Sequence, residues 1–195
     1  MEEGVSPALT YLNPMSTRLN SPDDKSVLHF VTLNVRDRKC AFRRPEYARM
    51  ILELLRFECD RHPACLVAYV AMPDHLHFLF GPRDGQVTKF LARFKPNATR
   101  NLDELAAQNG RIKERDWLAA KGQRELWQDG KYSLPIYSTP WVEEKINYIH
   151  QNPMRKGLST SPADYPWSSF MAYHQEFDNL PPVRVDLNWE QFFEK

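Results

Sequence analysis

The sequence predicts an α+β fold built on one antiparallel sheet. Three observations predict it. Runs rich in strand formers alternate with longer stretches of helical period, in the order strand, helix, strand, strand, helix, strand, helix. The second and third strands are separated by Pro73-Asp74, which marks a turn or irregular crossing. A last helix then starts at Thr139-Pro140 and carries Tyr148. That order is a ferredoxin-like split βαβ sheet with an added C-terminal helix.

The elements follow in turn. Residues 1–26 hold Pro7, Pro14 and Pro22 without periodicity and read as an irregular arm. Val27 to Val35 is the first strand, and Arg36 to Arg44 is a basic connection. Pro45 suits a helix N-terminus, and Tyr47, Met50, Ile51, Leu54, Leu55 and Phe57 carry a helical stripe to about Arg61. Cys65 to Tyr69 begins the second strand, and His75 to Phe80 is the third, ended by Gly81-Pro82. Val87 to about Gln108 is helical, with a break expected at Pro96. Residues 109–135 are polar, basic and mixed, and Pro135 to Tyr137 is the fourth strand. In the last helix Glu143 and Glu144 suit the first turn, and Pro153 is expected to end it near Asn152. Residues 27–175 read as one domain, and 176–195 as a tail with a short amphipathic end.

Bulk properties narrow the function. A net charge of +1 shows no global basic bias, so any nucleic-acid contact must come from local patches. Cys40, Cys59 and Cys65 are odd in number and lack zinc-site spacing, which argues against a disulfide framework. No run approaches the ~18 apolar residues of a membrane span, and Glu2-Glu3 opens a start without a signal-peptide core. A cytoplasmic location is expected.

The chemistry concentrates in two places. His75 and His77 are one residue apart on a strand, so both imidazoles point to one face. Leu76, Phe78 and Phe80 take the opposite face. Alone, such a pair fits a partly buried polar face as well as a metal site. On the last helix Tyr148 and Asn152 are i and i+4 and share a side. A helical tyrosine usually packs; as a nucleophile it needs a base or a positive centre nearby. Asn152 before Pro153 suits a helix cap as well as a metal ligand.

Three segments together resemble a known family: Met72 to Leu79 (MPDHLHFL), Tyr148 to Leu158 (YIHQNPMRKGL) and Asp164 to Ser169 (DYPWSS), with Leu126-Trp127-Gln128 ahead of the tyrosine helix. The chain resembles the single-tyrosine HUH transposases, in particular the REP-associated tyrosine transposases, over roughly residues 27–175. The resemblance implies that Tyr148 is the nucleophile and that His75, His77 and Asn152 hold a divalent metal, Mg2+ or Mn2+. Relatives often carry glutamine at the Asn152 position and asparagine at the Asp74 position. The implied reaction is cleavage and strand transfer of single-stranded or hairpin DNA through a 5′-phosphotyrosine; the alternatives are a domesticated hairpin-binding module without cleavage and another HUH nickase. Monomer and homodimer stay open, as does use of the tyrosine helix in its own or a partner's site.

Candidate DNA contacts are Arg36, Arg38, Arg43 and Arg44 in the basic connection, and Arg93 and Lys95 on the second helix. These suit phosphate contact or a solvated surface equally. Trp127 suits base stacking or the core.

Overall fold

A computed structural model describes residues 27–119, 125–130, 132–174 and 180–193. The expected N-terminal arm, residues 1–26, lies outside the described residues.

The elements are β1 (Leu28–Asn34), α1 (Pro45–Arg61), β2 (Ala64–Met72), β3 (His75–Pro82), α2 (Val87–Gln108), α3 (Ile112–Ala119), β4 (Tyr132–Ile136) and α4 (Thr139–Arg155). The strands form one antiparallel sheet in the order β2-β3-β1-β4. This is the predicted ferredoxin-like arrangement with α4 added.

Strand alternation sorts the core onto two faces. Val31, Leu33, Leu76, Phe78 and Phe80 pack against Ile51, Leu52 and Leu55 of α1 and Phe90, Phe94 and Leu102 of α2. Leu28, Phe30, Val70, Met72 and Leu79 pack against Val142 and Ile149 of α4. A register shift between Leu66 and Ala68 places Val67 and Ala68 together on the α4 face. His75 and His77 alternate with Leu76 and Phe78, so they too face α4.

Two helix ends differ from expectation for stated reasons. α2 runs unbroken through Pro96. A proline inside a helix costs about 3 kcal/mol, but Phe90, Leu91 and Phe94 before it and Ala98 and Leu102 after it are buried in one core. That shared burial holds the helix continuous. α4 continues past Pro153 to Arg155. Gly157 at φ +66 closes it, with the Leu158 N–H donating to the Pro153 carbonyl at 2.9 Å. Asn152 is therefore inside the helix and not its cap; Lys156 is the cap residue.

The mixed segment 109–135 contains α3, whose Leu118 reaches the core. The C-terminal segment read as a tail is packed in its described part. Val183 and Trp189 are buried, and Phe192 lies so close to Gly81 that a Cβ there would stand 2.5 Å from its ring.

The outer edge of β2 is covered. The Ala71 N–H donates to the Trp167 carbonyl at 2.9 Å, and the Ser169 N–H to the Tyr69 carbonyl at 3.0 Å. Farther along, the Asp186 N–H donates to the Leu66 carbonyl at 2.8 Å. The Asp-Tyr-Pro-Trp-Ser-Ser motif thus acts as an edge cover, satisfying backbone groups that an open strand would expose.

Candidate active site

The Pro73-Asp74 turn joins β2 to β3 and is clamped by backbone. The Val35 N–H donates to the Asp74 carbonyl at 2.9 Å, and the Phe42 N–H to the Pro73 carbonyl at 2.9 Å. His75 and His77 follow on β3, both buried, with ring centroids 4.6 Å apart. His75 Nδ1 lies 2.5 Å from Asp74 Oδ1, and His77 Nδ1 lies 2.8 Å from Thr32 Oγ1 on β1. Thr32 and His77 are paired in register, which sets that contact. With each Nδ1 engaged, each Nε2 is the ring nitrogen left to bind a cation, the usual arrangement for ligating histidines.

Burial lowers both histidine pKa values. Asp74 partly opposes the effect at His75. His77 is pushed down to about 3, chiefly by burial, with the His75 and Arg38 charges adding to it. Both rings are therefore neutral near pH 7, the form that coordinates metal.

α4 brings the tyrosine to this pair. The Tyr148 ring centroid lies 5.6 Å from that of His77 and 5.7 Å from that of Phe30, edge-on to Phe30. Phe30 also stacks on His77 at 5.3 Å, so one aromatic side chain supports both groups. The Arg155 guanidinium stands 5.6 Å above the Tyr148 ring. Asn152, one turn further along α4, is buried.

The helix is held in place from its other residues. His150 Nε2 lies 2.9 Å from Ser169 Oγ, which also accepts the Tyr69 N–H at 2.9 Å. The Tyr165 hydroxyl donates to the Ala71 carbonyl at 2.8 Å. The edge-cover motif therefore ties α4 to β2.

The donor set fits a divalent cation: two neutral imidazoles whose Nδ1 atoms are engaged and whose Nε2 atoms are left to coordinate, with the buried Asn152 amide on the adjacent helix. Among the described residues no cluster of three or more His, Cys, Asp or Glu is placed to hold a metal. A metal here would need the amide, phosphate or water oxygens to complete its shell.

The remaining sequence candidates divide. Arg38 is exposed and pairs with Asp74 at 2.9 Å, beside the histidines. Arg43 is exposed. Arg44 is tied to Glu114 at 2.6 Å, and Lys95 donates to the Gly130 carbonyl at 3.3 Å. Arg93 is half-buried, its Nε enclosed without a partner. Two assignments need correction. Arg36 is buried, donating to the Trp117 carbonyl and lying 5.0 Å over the Trp117 ring, so it braces α3 and is not a surface phosphate contact. Trp127 is buried against Phe42 and Phe94, with its Nε1 donating to the Lys95 carbonyl at 3.2 Å. It is a core residue and offers no face to a base.

Sequence reading missed Thr32, Phe30 and Arg155 as parts of this centre. Arg155 was visible as i+7 from Tyr148 in a quoted motif. Thr32 and Phe30 had no local signal, because strand pairing and sheet packing bring them in. A cavity of about 660 Å3 lies in the other layer, lined by Lys39, Arg44, Tyr47, Arg111 and Trp117. Its arginines are engaged: Arg44 with Glu114, and Arg111 with Glu46 at 3.2 Å.

No helix among the described residues is long and apolar enough to cross a membrane.

Comparison with known proteins gives the same direction. The profile of the IS200-like transposases matches residues 24–152. The REP-associated tyrosine transposase of Escherichia coli K12 is 23% identical over 141 residues, covering 72% of this chain and 74% of the relative. A Haemophilus influenzae protein, provisionally described as a REP-associated tyrosine transposase, is 25% identical over 169 residues, covering 83% of this chain and 93% of the relative. A solved REP-associated tyrosine transposase bound to a REP hairpin shares the fold, with TM-score 0.61 and 20% identity over 89% of this chain and 94% of that one. The chain belongs to the IS200-like transposase family and within it is similar to the REP-associated tyrosine transposases.

Proposed function

We propose that this chain cleaves and rejoins single-stranded DNA by metal-dependent tyrosine chemistry, on hairpin substrates of the REP kind. The observation that carries this reading is the convergence of His75, His77 and Tyr148 on one side of the sheet, with adjacent ring centroids 4.6 and 5.6 Å apart. The hairpin substrate is supported by the related transposase solved with a REP hairpin.

In the reaction the Tyr148 phenol oxygen attacks a backbone phosphorus. The phenol gives up its proton as the new bond joins its oxygen to phosphorus, the bond from phosphorus to the 3′ oxygen breaks, and the leaving oxygen takes up a proton as a 3′-hydroxyl. The other DNA end stays attached as a 5′-phosphotyrosine. Attack by a 3′-hydroxyl of another strand reverses the step and frees the phenol. His75, His77 and Asn152 would hold Mg2+ or Mn2+, which supplies polarisation of the phosphate when bound. The protein does the rest. Asp74 and Thr32 fix the two imidazoles, Phe30 orients the phenol, and Arg155 offers positive charge where phenolate character develops.

The test is a denaturing gel. Protein incubated with a labelled hairpin carrying single-stranded flanks and Mn2+ should form a covalent adduct, and Tyr148→Phe should form none. An adduct that survives that substitution refutes the nucleophile assignment. Hairpin retention without any adduct supports a binding module in place of an enzyme.

A further inference from the structure

We infer that Asp74 and Arg38 are a positioning pair that presents the His75 imidazole to a divalent cation; this rests on the metal-centre reading above. Asp74 Oδ1 lies 2.5 Å from His75 Nδ1, and its other oxygen lies 2.9 Å from Arg38 Nε. Arg38 also donates to the Asn34 side chain, and Asn34 is the register partner of His75 across β1 and β3. The four residues form a closed set around one imidazole.

The backbone is bent to make this contact. Asp37 and Arg38 both have left-handed φ angles, +55 and +53, although neither is glycine. Such conformations persist only where surrounding structure imposes them, and they concentrate at functional sites. Here the imposing structure is visible on both sides. Arg36 is buried against Trp117, and the Arg36 N–H donates to the Leu126 carbonyl at 2.8 Å. Val35 and Phe42 grip the two carbonyls of the Pro73-Asp74 turn. The 35–42 connection is thus built around the turn that carries Asp74.

The chemistry follows from the donor pattern. A carboxylate accepting the Nδ1 proton holds the lone pair on Nε2 and makes the ring a stronger donor. Arg38, 2.9 Å from the other carboxylate oxygen, holds the carboxylate aimed. His77 has only the Thr32 hydroxyl at its Nδ1. The two ligands are therefore unequal, with His75 the stronger. An aspartate at position 74 supplies a charge that asparagine lacks.

The experiment is a Mn2+ titration of the full chain, followed by the electron paramagnetic resonance signal of free Mn2+. Circular dichroism melting confirms that each variant folds. Asp74→Ala should weaken Mn2+ binding by about 10–100-fold. Asp74→Asn keeps an acceptor oxygen but loses the charge, and should fall between Asp74→Ala and the parent. Arg38→Gln should weaken binding less than Asp74→Ala does. If Asp74→Ala does not fold, Asp74→Asn and Arg38→Gln decide the question. Parent-like Mn2+ affinity in the folded variants overturns the inference and leaves the metal centre standing. A parent chain that takes up no Mn2+, or a His75→Ala/His77→Ala chain that still does, overturns the metal centre and the inference together.

Discussion

His150 makes a quantitative prediction about acid. It sits on α4 between Tyr148 and Asn152, buried, with Nε2 2.9 Å from Ser169 Oγ. Burial, aided by the His174 charge, pushes its pKa from 6.5 down to about 3. The unfolded chain takes up this proton below about pH 6.5, whereas the folded chain resists it until about pH 3. The stability from keeping the ring neutral is thus fully present above pH 6.5 and is lost as pH falls toward 3. Across that whole window the loss is about 5 kcal/mol, and between pH 7 and pH 5 it is about 2 kcal/mol. His150→Asn keeps a polar group for Ser169 and removes the titration. Urea unfolding at pH 7, 6 and 5 should show the parent losing about 2 kcal/mol more than the variant over that range. Carboxylates common to both chains cancel in the comparison. Parallel stability curves for parent and variant refute the buried neutral histidine, and with it the account of how α4 is held to β2.

Three further outcomes are expected. Trp127→Ala should destabilise the fold by about 3–5 kcal/mol in urea, because the ring fills the core beside Phe42 and Phe94; a stable variant with selectively weakened DNA binding would restore the stacking role. Gly81→Ala should cost about 1–3 kcal/mol by overpacking, since the new methyl would meet Phe192 and Leu28; adding Phe192→Ala should recover part of the loss, and no recovery would argue against the packed C-terminal segment. A chelator should abolish adduct formation while hairpin retention in a gel shift persists, and added Mn2+ should restore cleavage; cleavage that continues in chelator would rule out the proposed metal dependence.

Much of the architecture was legible because periodicity reports burial directly. The alternation His75-Leu76-His77-Phe78 placed both imidazoles opposite the apolar side chains, and they are found there. The i, i+4 spacing put Tyr148 and Asn152 on one helical side. Local rules erred where packing outweighed them. Pro96 and Pro153 each remove one backbone donor, yet the flanking core of α2 and the Gly157 closure of α4 keep both helices intact. Charge counting erred at Arg36 for a related reason: a long cationic side chain looks the same in sequence whether it faces solvent or braces a tryptophan.

The sequence by itself determined the strand and helix order apart from α3, the face carrying the histidines, and the family. Only the tertiary structure decided what surrounds them. Thr32 reaches His77 through strand pairing, Phe30 meets Tyr148 through layer packing, and Asp74 meets Arg38 through a bent connection. Periodicity is a property of neighbouring residues and is written in one dimension. Contacts between residues far apart in the chain depend on register, twist and loop path, which emerge only when the layers close on each other.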